Sequence, residues 1–241
     1  MPPGRSLWLC AALLAPANLA VAQDPGPVYE APYVPSPIST VDEMLRLASL
    51  GPGDVVYDLG AGDGRVVITA ASKFGARGVG VEIDAALVAM ARSNAARAGV
   101  ADRVRFLQQD MFKTDLREAT VVALYLSPNF NLRLRPALLA LKPGTRVVSQ
   151  TSGMGDWRAD RSTAVRKDVL LWIVPAQVAG NYRLPQGELS LQQEFQMLSG
   201  TLRTGGKTLA LEGRVRGEEV SFRAGGRQYR GRMNGKTLEL R

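Results

Sequence analysis

The fold is decided by the stretch Val55-Val56-Tyr57-Asp58-Leu59-Gly60-Ala61-Gly62-Asp63-Gly64-Arg65. Its first five residues have the composition of a buried strand, and the alternate glycines allow a sharp turn whose backbone lies directly against a ligand. A helix should begin at Arg65. A dinucleotide-binding loop would carry its third glycine at position 65, so Arg65 disfavours that kind of ligand. Asp58 and Asp63 would repel a pyrophosphate, and they favour a ligand with a positive charge.

Two further acids follow the next two predicted strands. Glu82 ends the second strand, and Asp110 follows the third. Carboxyl ends of parallel strands meet at one edge of a sheet, where ligands of open α/β folds bind. S-adenosylmethionine offers matching groups: an ammonium and a sulfonium for Asp58, ribose hydroxyls for Glu82 and an adenine amino group for Asp110. It is therefore the predicted cofactor. The predicted cofactor-binding residues are Asp58, Gly60, Gly62, Asp63, Glu82 and Asp110.

Taken singly, each of these acids has a purely structural alternative. Asp58 could cap a turn, and Glu82 could be a strand end in solvent. Asp84, two residues later, is predicted to be the N-cap of the following helix rather than a ligand contact. The prediction depends on the conjunction of the glycine loop with the three acids.

Strands and helices alternate through the first two thirds of the chain. The predicted strands are Val55–Leu59, Gly78–Val81, Val104–Leu107, Val121–Leu126 and Thr145–Gln150, and the predicted helices are Thr40–Leu50, Arg65–Phe74, Ala85–Ala98 and Leu132–Leu141. The patterns Ser39-x-x-Asp42 and Thr40-x-x-Glu43 predict overlapping capping boxes on the first helix. The apolar run Val165–Val174 lacks helical spacing and predicts one or two closing strands. The alternation predicts an α/β fold with a doubly wound, mostly parallel, Rossmann-like sheet.

The composition changes at Pro175. From Val178 onward, short alternating runs are separated by glycines, and the segment Gly213–Phe222 resembles Gly231–Leu240. This pattern predicts a small C-terminal antiparallel β meander or barrel. Eleven basic and six acidic residues lie between positions 178 and 241. Since every motif precedes Pro175, we expect this region to be dispensable for cofactor binding.

Several kinds of chemistry are excluded by composition. The chain has no histidine, and its only cysteine is Cys10. We therefore expect no metal site, no disulfide and no Ser-His or Cys-His nucleophile. The formal charge of +8 is not concentrated in one basic tract, which argues against nucleic acid as a partner and leaves membrane-surface association open. The oligomeric state is not predicted.

Two segments together resemble a known family. Pro32-Tyr33-Val34-Pro35-Ser36 and Val56–Val67 are similar to segments of the mitochondrial protein-lysine methyltransferases that act on the ATP synthase c subunit and the adenine nucleotide translocase. Those enzymes pair a Pro-aromatic-Val-Pro segment with Asp-(Leu/Ile)-Gly-Ser-Gly-Asp-Gly-Arg-Ile-Val. The wider resemblance, to class I S-adenosylmethionine-dependent methyltransferases, covers residues 38–175. It implies a Rossmann-like methyltransferase that N-methylates a protein lysine.

The methyl acceptor is expected after the fourth strand. The stretch Ser127-Pro128-Asn129-Phe130 resembles the (Asp/Asn/Ser)-Pro-Pro-aromatic motif of class I N-methyltransferases, with Asn129 in place of the second proline. The resemblance implies that Ser127 accepts a hydrogen bond from the substrate nitrogen and that Phe130 packs on it. Tyr33 and Tyr125 are possible further walls. The predicted catalytic residues are Ser127, Phe130 and Tyr33. Alternatively, Ser127 is a helix N-cap and Phe130 a core residue.

The N-terminal region has the three-part pattern of a secretory signal peptide. Arg5 precedes the apolar run Leu7–Leu14, and Ala20-Val21-Ala22 follows as a cleavage site. The predicted domains are a signal peptide (1–22), a proline-rich segment (23–37), a class I methyltransferase domain (38–175) and an all-β domain (178–241). This pattern predicts export to a periplasmic or membrane-associated location. That location is in tension with the cytosolic supply of S-adenosylmethionine.

Three hypotheses about function follow. The first is N-methylation of a protein lysine. The second keeps the cofactor but changes the acceptor to a small molecule or a lipid. The third is an exported binding module that uses a methyltransferase-like fold without turnover, and it would explain a signal sequence on a protein whose cofactor is made in the cytosol.

Overall fold

The structure, a computed structural model, describes residues 33–163, 168–185 and 187–240. The predicted signal peptide, Cys10 and residues 23–32 of the proline-rich segment lie outside these residues. No helix in the described part of the chain is long and apolar enough to cross a membrane.

The first part of the described chain alternates strands with helices. Its helices are α1 (Ile38–Leu47), α2 (Arg65–Phe74), α3 (Ala85–Arg97) and α4 (Pro128–Leu139), and its strands are β1 (Val55–Leu59), β2 (Arg77–Glu82), β3 (Val104–Gln108), β4 (Val121–Leu124), β5 (Arg146–Gln150), β6 (Arg161–Ser162) and β7 (Val169–Ile173). A short 3-10 helix follows β3. Most elements begin and end within two residues of their predicted bounds, because glycines and polar residues punctuate the apolar runs.

The strands of this part form one sheet in the order β3-β2-β1-β4-β5-β7-β6. The pairs from β3 to β5 are parallel, whereas β7 runs antiparallel to β5 and β6 antiparallel to β7. The predicted Rossmann-like sheet is therefore confirmed, and the described part of the apolar run Val165–Val174 supplies one closing strand, β7, while residues 165–167 lie outside the described residues. Apolar clusters cover both faces of the sheet. The strand order reverses between β1 and β4, and at such a point the carboxyl ends of the strands leave a crevice for a ligand.

Helix α1 begins earlier than predicted, and the predicted capping boxes are wrong. Pro37 occupies the N-cap position, and no side chain caps the helix. The Pro37 carbonyl accepts hydrogen bonds from the backbone N–H groups of Thr40 and Val41, at 2.9 and 3.1 Å. Proline has a backbone torsion that suits a helix start, so it places Ser39 and Thr40 inside the first turn.

Helix α4 also begins earlier than predicted. It starts at Pro128 and ends at Leu139, whereas the pattern predicted Leu132–Leu141. Proline is favoured in the first turn of a helix because the N–H that it lacks would have no partner there. Strand β4 accordingly ends at Leu124, and the predicted acceptor motif lies across the start of the helix.

The second sheet is the antiparallel meander predicted from the glycine-separated runs. Its strands are β8 (Gly180–Leu184), β9 (Gly187–Glu194), β10 (Met197–Thr204), β11 (Lys207–Arg216), β12 (Glu219–Ala224), β13 (Arg227–Asn234) and β14 (Thr237–Leu240). They pair in chain order. The second sheet has an apolar cluster of its own, which includes Leu189, Leu202, Val215 and Phe222. Turn glycines with positive φ, such as Gly205 and Gly226, produce the tight reversals.

The two sheets are packed against each other. The Phe195 ring, from the turn after β9, stacks on the Trp157 ring with a centroid distance of 6.4 Å. The neighbouring Gln196 is buried and donates a hydrogen bond to the Arg158 carbonyl at 2.7 Å. Asp160, whose side chain is 3% exposed, pairs with Arg214 of β11. Phe195 packs against the core of the first sheet, so the meander contributes to the fold of the first part of the chain.

Candidate active site

The glycine loop lies at the carboxyl end of β1 and is held by the end of β2. The backbone N–H groups of Gly60 and Ala61 both donate to the Val81 carbonyl at 2.9 Å. Gly62 has a φ of 53°, and a Cβ at this position would lie 2.2 Å from Cε2 of Tyr33. A side chain at position 62 would therefore displace the tyrosine ring as well as strain the backbone.

Glu82 has a structural role in addition to its predicted one. Its Oε2 accepts a hydrogen bond from the Gly62 N–H at 2.9 Å, and its Oε1 accepts from the N–H groups of Ile83 and Asp84 at 2.8 and 3.0 Å. A carboxylate has about four acceptor positions, and three are used here. Glu82 thus holds the glycine loop against β2 and keeps acceptor capacity for a ligand hydroxyl. Asp84 caps α3 as predicted.

Asp58 is the buried acid of the site. It lies in β1 between Gly80 and Ala123 of the neighbouring strands and is 5% exposed. No described residue donates a hydrogen bond to its side chain or pairs with it. Burial, followed by the charges of Glu82 and Asp63, raises the pKa of Asp58 to about 7. A buried carboxylate without a cation is costly, so this position suits a ligand that brings a positive charge.

Asp63 is paired within the protein. Its carboxylate accepts hydrogen bonds from the Arg65 guanidinium, the shortest at 2.7 Å. Burial works to raise the pKa of Asp63, but the Arg65 hydrogen bonds outweigh it, and the pKa is lowered. Arg65 also donates to the Ser36 carbonyl at 2.6 Å. The pair therefore ties the segment that carries Tyr33 to the glycine loop.

The Tyr33 ring lies against the glycine loop, as its contact with Gly62 indicates. The side chain is 43% exposed. Burial and the nearby Asp63 charge raise the pKa of Tyr33, so the hydroxyl stays protonated near neutral pH. The structure therefore places this predicted residue beside the predicted cofactor loop.

Asp110 lies after β3 and caps the short 3-10 helix, where its Oδ1 accepts a hydrogen bond from the Phe112 N–H at 2.9 Å. The Gln109 N–H donates to the Glu82 carbonyl at 3.0 Å, which holds the ends of β2 and β3 together. Asp110 thus lies at the same edge of the sheet as Asp58 and Glu82, with one oxygen unused by any described residue.

The predicted acceptor motif adjoins the glycine loop. A Cβ on Gly60 would lie 3.2 Å from Cδ2 of Leu126, one residue before the motif. Ser127 occupies the N-cap position of α4, but its hydroxyl caps nothing and is exposed. The Phe130 ring packs edge-on against the Phe112 ring with a centroid distance of 5.6 Å. Ser127 is thus available to a substrate, and Phe130 has a packing role next to the Asp110 cap.

Comparison with known proteins assigns the family. A model of the ANTKMT methyltransferase domain matches residues 58–161. A protein-lysine N-methyltransferase of Saccharolobus islandicus is 40% identical over 154 residues, which are 63% of this chain and 96% of that protein. The chain belongs to the ANTKMT methyltransferase family. It is therefore an S-adenosylmethionine-dependent methyltransferase, as the glycine loop and the three acids at successive strand ends also indicate.

Two further relatives extend the comparison. The adenine nucleotide translocase lysine N-methyltransferase of mouse is 37% identical over 131 residues, which are 54% of this chain and 56% of the mouse protein. A crystal structure described as an RNA methyltransferase from Salinibacter ruber, in complex with S-adenosyl-L-homocysteine, is 54% identical. The match has a TM-score of 0.59 and covers 60% of this chain and 96% of the other. It shows the methyltransferase fold.

The methyltransferase cofactor fits the residues present. Asp58 is a buried carboxylate that no described cation neutralises, which suits the ammonium of S-adenosylmethionine. Glu82 and Asp110 each keep an unused acceptor position at the sheet edge, which suits hydroxyl and amino donors. Within the described residues, no three histidine, cysteine, aspartate or glutamate side chains form a group that could hold a metal ion.

A buried polar network supports the acceptor motif from behind, and sequence reasoning missed it. The Asn131 amide donates to Ser149 Oγ and to the carbonyls of Ser152 and Gly153, at 3.1 to 3.3 Å. The Ser152 hydroxyl donates to the Leu126 carbonyl at 2.6 Å. One signal was present: Asn131 is a polar residue on the buried stripe of α4 that continues with Leu134 and Leu138. The network ties the end of β5 to the start of the acceptor motif.

Proposed function

We propose that this methyltransferase transfers its methyl group to the side-chain amine of a protein lysine. The observation that carries the proposal is the similarity to the lysine N-methyltransferase of Saccharolobus islandicus, because it extends over 96% of that protein. The mouse relative is named as a lysine N-methyltransferase of the adenine nucleotide translocase. Its similarity, which covers 56% of the mouse protein, supports the same class of acceptor.

The chemistry of the site is compatible with a lysine. Bound S-adenosylmethionine supplies a methyl carbon activated by its sulfonium. The lysine nitrogen must arrive without its extra proton, and its lone pair forms the new C–N bond as the C–S bond breaks. Ser127 can accept a hydrogen bond from that nitrogen and align it. Tyr33 and Tyr125, which are 43% and 39% exposed, offer apolar surface for the lysine stem and favour the neutral amine by desolvation.

Transfer of a labelled methyl group tests the proposal. The full chain is incubated with S-adenosylmethionine tritiated in the methyl group and with protein from a bacterial lysate, and the labelled protein is hydrolysed and searched for methyl-lysine. Acetylating the amines of the lysate beforehand provides the matched control, because it blocks lysine and leaves carboxylate, amide and guanidinium acceptors in place. We expect methyl-lysine that disappears after acetylation. Label that survives acetylation would contradict a lysine acceptor.

RNA is the second candidate acceptor, and one observation favours it. The structure described as an RNA methyltransferase is 54% identical to this chain, more than the lysine methyltransferase relative. When whole bacterial lysate replaces its protein fraction, label that is lost on ribonuclease treatment and unaffected by lysine acetylation would favour RNA. If the enzyme binds the cofactor but labels neither protein nor RNA, both acceptors are contradicted, and a small molecule or a lipid is left as the acceptor.

A further inference from the structure

The C-terminal meander has two ends that differ in their surroundings. Because the chain reverses at each turn, alternate turns meet at the same end of the sheet. The turns β9–β10, β11–β12 and β13–β14 form the proximal end, where Phe195 contacts Trp157 and the Gly217 carbonyl accepts from the Ala176 N–H at 2.7 Å. The turns β8–β9, β10–β11 and β12–β13 form the opposite, distal end.

Charge is distributed unequally between these ends. The distal end carries five basic residues (Arg183, Arg203, Lys207, Arg223 and Arg227) and two acidic residues (Glu188 and Glu212). The proximal end carries four basic residues (Arg214, Arg216, Arg232 and Lys236) and four acidic residues (Glu194, Glu218, Glu219 and Glu239). The surplus of positive charge on the meander therefore lies at the distal end, with Arg230 between the two.

The distal cations are exposed and poorly neutralised. Arg203 has an acidic neighbour, Glu188, at 3.5 Å. Among the described residues, none pairs with or hydrogen-bonds to the side chains of Arg183, Lys207 or Arg227. The contrast is with the proximal end, where Arg214 and Arg232 pair with carboxylates. These distal charges are available to a partner outside the protein.

The surroundings of the distal cations favour a lipid surface over nucleic acid. Proteins that bind single-stranded nucleic acid offer exposed aromatic rings on which bases stack. Here the Tyr182 hydroxyl donates to the Val178 carbonyl at 2.9 Å, and the Tyr229 ring stacks on Phe222 with a centroid distance of 4.9 Å. Both rings are partly buried and pack against the apolar core of the meander, and Tyr182 also lines the groove at this end. No large apolar side chain is exposed at the described part of the distal end. What remains is positive charge carried on three neighbouring turns.

We propose that the distal end of the meander docks this methyltransferase on a membrane surface rich in anionic lipid headgroups. Neighbouring strands lie about 4.8 Å apart, so the cations of the distal end are close enough together for several of them to contact headgroups at once. The groove at this end is lined by residues that include Arg183, Arg203 and Glu188, so two guanidinium groups there outnumber one carboxylate. Each basic residue near an anionic surface strengthens binding about fivefold.

Sedimentation with lipid vesicles tests the docking. The full chain is mixed with vesicles of phosphatidylcholine alone, or of phosphatidylcholine with phosphatidylglycerol. The distal triple variant carries Lys207→Gln, Arg223→Gln and Arg227→Gln. We expect binding to the phosphatidylglycerol vesicles alone, weakened by added salt, and about 100-fold weaker in the triple variant because three contacts are removed.

A matched control separates local contact from net charge. The variant with Arg216→Gln, Arg230→Gln and Lys236→Gln removes the same charge outside the distal end, and we expect it to bind within a few-fold of wild type. Equal loss in both variants would overturn the assignment to the distal end. Absence of binding to phosphatidylglycerol vesicles, or binding to single-stranded RNA at the same salt without binding to vesicles, would overturn the proposal. Circular dichroism of each variant verifies that it is folded.

Discussion

Replacing Asp58 by asparagine should abolish a pH dependence of cofactor binding. The pKa of Asp58 in the free protein is raised to about 7, so below pH 7 this carboxyl is mostly protonated. A bound ammonium next to it favours the ionised form, and binding must then release the proton. The affinity for S-adenosylmethionine should fall about tenfold for each pH unit well below 7, or about 50-fold between pH 7 and pH 5. Asp58→Asn keeps the shape of the side chain and removes the proton.

The same shift has a consequence for stability. The pKa is raised in the folded state relative to the ordinary value of 3.8, so the free folded protein retains a proton that the unfolded chain has lost. The stabilisation of the folded state by this retained proton is fully present below about pH 3.8 and is lost as the pH rises through about 7. A shift of about three units corresponds to about 4 kcal/mol. Free Asp58→Asn protein should therefore gain stability relative to wild type as the pH rises from 5 to 8.

Two measurements check this reasoning. Isothermal titration with S-adenosylmethionine at pH 6, in buffers of different ionisation enthalpy, should show release of nearly one proton from wild type and none from Asp58→Asn. Urea unfolding of both proteins at pH 5 and pH 8 gives the stability difference. Glu82→Gln is the control. Glu82 is the charge that, after burial, contributes most to the raised pKa of Asp58, so this variant should lower that pKa. Equal pH slopes for wild type and Asp58→Asn would refute the role assigned to Asp58.

The remaining predictions concern other parts of the site. Glu82→Ala should weaken cofactor binding by about 1.5–3 kcal/mol, and Asp110→Ala by less, since an adenine amino group offers one neutral donor; titration calorimetry measures both, and unchanged binding in folded Glu82→Ala would contradict the cofactor site. If the Tyr33 ring organises the reacting groups, Tyr33→Ala should lower kcat more than it lowers cofactor affinity, and Tyr33→Phe should retain kcat. Equal methyl-transfer rates in wild type and both variants would show that the proline-rich segment is only a linker. The motifs alone predict that the chain after Ala176 is dispensable for cofactor binding, but the Phe195–Trp157 contact predicts that truncation there destabilises the first sheet. Phe195→Ala in the full chain should cost about 2–4 kcal/mol in urea unfolding, and Phe195→Leu should cost less.

Features that depend on local backbone preference were predictable from the sequence. Helix α2 and strand β1 have their predicted bounds, because glycines on either side interrupt apolar runs of the correct period. The start of α4 was missed because its first turn contains Pro128 and Asn129, residues that also favour turns. The capping boxes of α1 failed because Pro37 supplied a competing helix start that satisfies two N–H groups through its carbonyl.

Contacts between distant segments were not predictable in the same way. Phe195 lies in the predicted all-β region, yet its ring packs on Trp157, 38 positions earlier in the chain. Asn131 reaches Ser149 and Ser152 across the end of β5. Periodicity shows which side of an element is buried, but the partner on that side depends on how whole elements pack.

The motif located the acids of the site but did not show which role each of them has. All four were predicted as ligand contacts, but the structure gives three of them partners within the protein. Asp63 binds Arg65, Asp110 caps the 3-10 helix, and Glu82 accepts three backbone N–H groups. Asp58 has no such partner, and burial makes its charge costly until a cation arrives. The electrostatic part of cofactor affinity should therefore depend chiefly on Asp58, whereas loss of Glu82 should disturb the shape of the glycine loop as well as remove a ligand contact.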